Sequence, residues 1–152
     1  PMPQSLANVV IHTIFSTKNR EPWLRDSGLC GEMSAFLGGA AKTLDCQPIK
    51  IGGHMDHVHL LTAHSRTITI ADFVKETKRA SSNWAKERDA SLAEFHWQAG
   101  YGAFSVSASN VERVVRYIAN QNEHHKHVSF QDEYRQFLKK HDVAFEEKYV
   151  WD

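Results

Sequence analysis

The chain has 152 residues, enough for one domain with a full core, and its 41% hydrophobic and 24% charged residues are ordinary for a soluble globular protein. Its net charge is zero with histidines neutral, which argues against a protein that lives chiefly on phosphate contacts. No apolar run approaches the roughly 18 residues of a membrane span, and the opening PMPQSLANVVIH, in which Met2 reads as a natural start, lacks the pattern of a signal peptide. Cys30 and Cys46 form no C-x-x-C pair, so a reducing cytoplasm is the simplest location. The charge is uneven: residues 129–152 hold six acids and four bases, which leaves a small basic excess on the rest.

NVVIHTIFST, from Asn8, is β-branched and continuous and predicts a buried strand, followed by a polar connection broken at Pro22. Leu29, Met33, Phe36, Leu37, Ala40, Ala41 and Leu44 then recur at helical spacing. QPIKIGG predicts a short strand stopped by Gly52 and Gly53, and HVHLLTAH the next strand. Thr69 with Asp72 predicts a helix N-cap ahead of Ile70, Phe73, Val74, Thr77 and Trp84. FHWQAGYGAFSVSAS alternates in its second half and predicts a strand with an irregular entry. Ser109 and Glu112 match a capping box that opens the helix NVERVVRYIANQNEHH, with Val111, Val114, Val115 and Ile118 inward. A last helix starts near Ser129 and turns Phe130, Tyr134, Phe137 and Leu138 to the core. The order β-α-β-β-α-β-α-α predicts an α+β, ferredoxin-like (split βαβ) antiparallel sheet with helices on one face and an added C-terminal helix.

Ten histidines are many for this length, and they cluster at 54, 57, 59 and 64 and at 124, 125 and 127. On a strand, side chains alternate, so His57 and His59 share a face while Val58 and Leu60 take the other. Two imidazoles about 7 Å apart can share a divalent ion. A bare H-x-H fits partly exposed histidines at a sheet edge better, since such triplets arise often by chance, and the motif needs a third ligand. Tyr117 and Gln121 lie four apart on one helix face, with Arg113 a turn before and His124 a turn after. Either is an ordinary surface residue taken alone, but the Gln121 carbonyl can ligate a hard cation. His54 and Asp56 fit second-sphere partners or turn residues, His12 hydrogen-bonded core, and the 124–127 histidines a helix C-terminus.

His57-Val58-His59 resembles the HUH motif, histidine-hydrophobic-histidine, and VVRYIANQNEHH resembles the tyrosine helix of the single-tyrosine HUH transposases of bacterial insertion sequences. Their domesticated relatives associated with repetitive extragenic palindromes share this pattern. IFSTKNREPWL, GGHMDHVHLL and WQAGYGAFSVSAS are similar too, in matching order over roughly residues 8 to 127, with a helical tail over 128–152 of a single domain spanning 1–152.

The resemblance implies that His57, His59 and Gln121 hold a divalent ion, Mg²⁺ or Mn²⁺, with no nucleotide cofactor. It implies that Tyr117 is the nucleophile that joins the 5′ phosphate of single-stranded DNA and frees a 3′ hydroxyl. It further implies recognition of a DNA hairpin and a homodimer in which the tyrosine helix of one subunit often serves the other. Lys75, Lys78, Arg79 and Lys86 fall on a common side of the helix at 70–88, either as a solvated face or as a phosphate track to which Lys18 and Arg20 add. Trp97 and Tyr101 fit base stacking, although core packing suits Trp97 better. Two other classes stay open: a domesticated hairpin-DNA-binding regulator without strand transfer, and a small metal-dependent hydrolase.

Overall fold

A computed structural model describes residues 3–152; residues 1 and 2, Met2 among them, lie outside that description. Strand β1 (Val10–Ser16) is buried along its whole length. Helix α1 (Ser27–Thr43) starts at Asp26, whose carboxylate accepts from the Gly28 and Leu29 amides, and ends at Leu44, after which Asp45 turns to φ 60°. This left-handed residue reverses the chain into β2 (Gln47–His54). Strand β3 (His57–Ala63) follows after two residues, and helix α2 (Ile70–Arg88) begins at Thr69, whose hydroxyl accepts from the Asp72 amide as predicted. Strand β4 (Gly102–Val106) closes a four-stranded sheet in the order β2-β3-β1-β4, with every pairing antiparallel. This is the ferredoxin-like arrangement read from the sequence.

The alternation of strand side chains divides the molecule. Phe15, Val58 and Leu60 point to one face and pack with Leu37, Met33, Phe73 and Val74 of α1 and α2. Trp97 belongs to that core too, donating its indole N–H to Ser81 Oγ. The opposite face carries Val10, His12, Ile14, His57, His59, Leu61 and Phe104. It is covered by three short helices: α3 (Val111–Ala119), α4 (Gln121–His124) and α5 (Phe130–Lys140). Ile118 packs on Val10 and Leu61, while Phe130, Tyr134 and Leu138 pack on Ile14 and Phe104.

Three local expectations need correction. The glycine pair does not stop β2: Gly52 pairs with His59, Gly53 with Val58 and His54 with His57. A Cβ on Gly52 would lie 2.8 Å from Ile118 Cγ2, so glycine is there to admit α3. The capping box is not formed. Ser109 sits within a 3-10 turn (Ala108–Asn110), and the N-cap is Asn110, which makes no side-chain cap bond. The helix predicted over 110–125 breaks at Asn120 (φ −100°, ψ 23°), whose amide closes α3 on the Arg116 and Tyr117 carbonyls before α4 restarts.

Candidate metal and nucleophile site

β3 delivers His57 and His59 to the face covered by α3–α5, and both imidazoles are fully buried. The break at Asn120 turns Gln121 over them. Its Oε1 lies 2.9 Å from His57 Nε2 and 3.0 Å from His59 Nε2. The three residues singled out in the sequence as a ligand set therefore converge on one point.

Sequence reasoning missed two further members. His125, one turn beyond Gln121, brings its Nε2 2.9 Å from Gln121 Oε1. Glu133, in the first turn of α5 and 1% exposed, sets Oε1 3.1 Å from His59 Nε2 and 3.5 Å from His57 Nε2. A signal for Glu133 was present. It stands three residues after Phe130 and four before Phe137, an acid inside an apolar helical stripe.

The outer nitrogens of the imidazoles fix what the inner ones present. His57 Nδ1 is 2.8 Å from Asp56 Oδ1, and His125 Nδ1 is 2.6 Å from the Val128 carbonyl oxygen. Both oxygens only accept, so each imidazole donates outward and, when neutral, turns a lone pair inward at Nε2. Gln121 donates its Nε2 amide to Glu133 Oε2 at 3.3 Å, which aims its carbonyl oxygen at the histidines. His59 Nδ1 faces His12 Nε2 at 2.8 Å, which makes His12, read from the sequence as core, the partner that orients His59. Imidazole lone pairs, a carbonyl oxygen and a carboxylate crowded at these distances repel one another unless protons or a cation lie among them. The donor set of nitrogens and oxygens fits a divalent ion, and the outward Nδ1 bonds are those that metal-bound histidines make.

Burial, and then the charge of His59, hold His12 well below its ordinary value. Burial likewise lowers His59, against the opposing effect of the hydrogen bond it donates to Glu133. For His125, burial also acts downward, but the hydrogen bond and charge of Glu133 outweigh it and raise the imidazole. Burial would raise Glu133; hydrogen bonds from His125 and His59 and the nearby imidazole charges prevail and keep it ionised.

Tyr117 points into the same cluster from α3. Its ring packs edge-on to His59 at 5.6 Å between centroids, and its hydroxyl donates to Glu133 Oε2, with His124 Nε2 3.3 Å away. Burial first, and then the Glu133 charge, push the phenol above its ordinary range. The hydroxyl is held as a donor rather than a free phenolate. Within this one chain the tyrosine faces its own histidines. A cleft of about 420 Å³, lined by Arg25, Lys50, Gly52, His54 and Asn122, opens beside Gln121.

A family of transposases described as IS200-like matches residues 5–121. The chain belongs to the IS200-like transposase family. The fold agrees with solved structures. A protein of Deinococcus radiodurans described as a transposase superposes with a TM-score of 0.60 at 24% identity, over 80% of this chain and 96% of that one. A REP-associated tyrosine transposase bound to a REP hairpin gives 0.59 at 13% identity, over 96% and 91%. No curated protein matches the sequence. The match to the transposase family contains His57, His59, Tyr117 and Gln121 and ends before His125 and Glu133.

The basic residues named from the sequence do not form one track. Lys78 leaves the set: its ammonium donates to the carbonyls of Gln98, Ala99 and Gly100 at 2.7–3.3 Å, and burial lowers it to about 8. Arg79 pairs with Glu76. Lys75, Arg79 and Lys86 belong to α2 and so lie across the sheet from the histidines. Lys18 and Arg20 form a 3-10 turn directly after β1, where the Thr17 amide donates to the Asp56 carbonyl. They therefore flank the histidine end of the sheet. Arg113 is exposed and takes no part in the cluster. No described helix is long and apolar enough to cross a membrane.

Proposed function

We propose that this transposase is a divalent-metal-dependent strand transferase for single-stranded DNA that cuts and rejoins through a 5′-phosphotyrosine link. The observation that carries the reading is that the Tyr117 hydroxyl shares one buried cluster with His57, His59 and Gln121. A Mg²⁺ or Mn²⁺ ion held by His57, His59 and Gln121 would offset the charge of the scissile phosphate.

The chain's own groups do the rest. Tyr117 Oη forms the new bond to phosphorus while the bond from phosphorus to the 3′ oxygen breaks, and that oxygen leaves as a 3′ hydroxyl once protonated. Glu133 Oε2 and His124 Nε2 are the acceptors within reach of the phenolic proton. Rejoining is the same exchange run with an incoming 3′ hydroxyl. It conserves the phosphoester energy and needs no nucleotide. Asp56 and His12 keep the histidine rings oriented.

The DNA strand enters by the cleft beside Gln121, where Arg25 and Lys50 offer phosphate contacts, and Lys18 and Arg20 add charge at the Asp56 end. A hairpin is the recognised element. Lys75, Arg79 and Lys86, across the sheet, contact it away from the chemistry. The homodimer implied by the resemblance is part of this reading, with each tyrosine serving its own chain's histidines. The cytoplasm is its place of work.

The test is an adduct assay. Labelled single-stranded DNA from the flanks of the gene is mixed with protein and Mn²⁺, and a denaturant-resistant shift is sought. The wild type is expected to give the shift and Tyr117→Phe to abolish it while still binding the DNA. An adduct that survives in Tyr117→Phe sinks the nucleophile assignment. Tight hairpin binding without any adduct in the wild type would replace the reading with a DNA-binding regulator.

A further inference from the structure

Glu133 places a carboxyl group at 1% exposure, and among the described residues the basic side chains beside it are histidines alone: His57, His59, His124 and His125. A buried carboxylate without a permanent cation is costly to keep. It is not a loop residue caught in passing. α5 is capped by Ser129, whose hydroxyl accepts from the Asp132 amide, and is pinned to the sheet through Phe130, Tyr134 and Leu138. A side chain on so fixed an element is delivered to one place.

The two oxygens of Glu133 face different partners. Oε1 looks at His59 Nε2 and His57 Nε2, at 3.1 and 3.5 Å. Oε2 takes the Tyr117 hydroxyl, the Gln121 amide and the His124 ring. We infer that Glu133 is the anionic ligand of the metal site through Oε1 and the positioning residue of the nucleophile through Oε2, so that one carboxylate ties Tyr117 to the ion. His125 Nε2, 3.3 Å from Oε2 and 2.9 Å from Gln121 Oε1, borders the same place, and the atoms of His57, His125 and Glu133 form a group compact enough for one ion.

This rests on the metal reading proposed above and adds to it a residue beyond the segment that matches the family. The chemical consequence is a change in the charge of the site. Two imidazoles and an amide are neutral and hold a hard divalent ion weakly. One carboxylate strengthens the hold and leaves a net positive charge of one, which matches the single negative charge of a phosphodiester.

The test is Mn²⁺ titration of the DNA-free protein, followed by the loss of the free-ion electron paramagnetic resonance signal. Glu133→Gln keeps the shape and the amide can still meet the tyrosine, but the charge is gone. Its dissociation constant for Mn²⁺ is expected to rise about 10–100-fold, while circular dichroism in chelator shows the fold retained. Mn²⁺ affinity in Glu133→Gln within twofold of wild type overturns the inference. Should that variant fail to fold, Glu133→Asp, which withdraws the oxygens by one methylene, is titrated instead. Weakened binding again supports the ligand role, and unchanged binding overturns it. His57→Ala separates the two readings. If His57→Ala loses Mn²⁺ and Glu133→Gln does not, only the Glu133 inference falls. If the wild type itself binds no Mn²⁺, the metal reading falls with it.

Discussion

His57 reaches the cluster with its orientation already set, because the residue before it, Asp56, accepts from its Nδ1 at 2.8 Å. Asp56→Asn replaces an acceptor with a group that can present its amide N–H instead, which favours the opposite tautomer and turns the lone pair away from the cluster. Mn²⁺ affinity measured by calorimetry is expected to fall about 10–100-fold, with the fold intact by circular dichroism. Full affinity in that variant would show that Asp56 is only a turn residue. Individual residues were unevenly legible in the sequence. His57, His59, Tyr117 and Gln121 stood out because strand and helix periods place them on shared faces and because their pattern resembles a known motif. Glu133 did not, because an acid in the first turn of a helix is expected to complement the helix dipole at the surface. Only the apolar stripe around it distinguishes it from Asp132, which is exposed. Lys78 misled for the opposite reason. Helical phase placed it with Lys75 and Lys86, but phase says nothing about three carbonyls arriving from the chain before β4.

The elements themselves were read more fully than their ends. The strands and long helices carry strong periodicity, and all of them formed. The misreadings fall where tertiary contact decides: glycines that continue β2, a serine spent in a 3-10 turn, and an asparagine that splits the tyrosine helix. The glycines bear most directly on function. α3 lies on β2 through Ile118, and Ile118 sits between Tyr117 and Gln121 in the chain. In Gly52→Ala the new methyl would meet Ile118 Cγ2 at 2.8 Å and its carbonyl oxygen at 3.2 Å. Helix backbone and strand must part to admit it. The expected cost is about 1–3 kcal/mol of stability in denaturant melts, together with a slower adduct-forming step as tyrosine and glutamine move off the histidines. Gly31→Ala in α1 is the control, since its Cβ meets nothing within 4 Å. It should stabilise by about 0.5–1 kcal/mol through helix propensity. Equal behaviour of the two variants would refute the close-approach argument.

At the scale of the whole molecule, the buried histidines make the metal-free protein sensitive to acid. His12 and His59 are lowered from 6.5, by burial before anything else, so the unfolded chain binds more protons than the folded one just below that value. Their contribution to stability is complete above pH 6.5 and is lost as pH falls toward their folded values. Glu133 is lowered from 4.5, and adds a further loss below that. His125 is raised and acts oppositely, contributing fully below 6.5 and less as pH rises through its folded value. His124 and His141 are lowered as well, by burial first, so four lowered imidazoles against one raised imidazole leave a net loss on acidification. The melting temperature in chelator is expected to drop between about pH 7 and about pH 5; a flat or rising profile would contradict the burial of neutral His12 and His59. The same assembly also has a consequence in time. His59 and the Glu133 it meets are separated by 74 positions, and a ribosome adding roughly 5–20 residues per second takes about 4–15 seconds to travel between them. A nascent chain thus exposes its histidine strand well before the glutamate exists, and the buried cluster can close only after that interval.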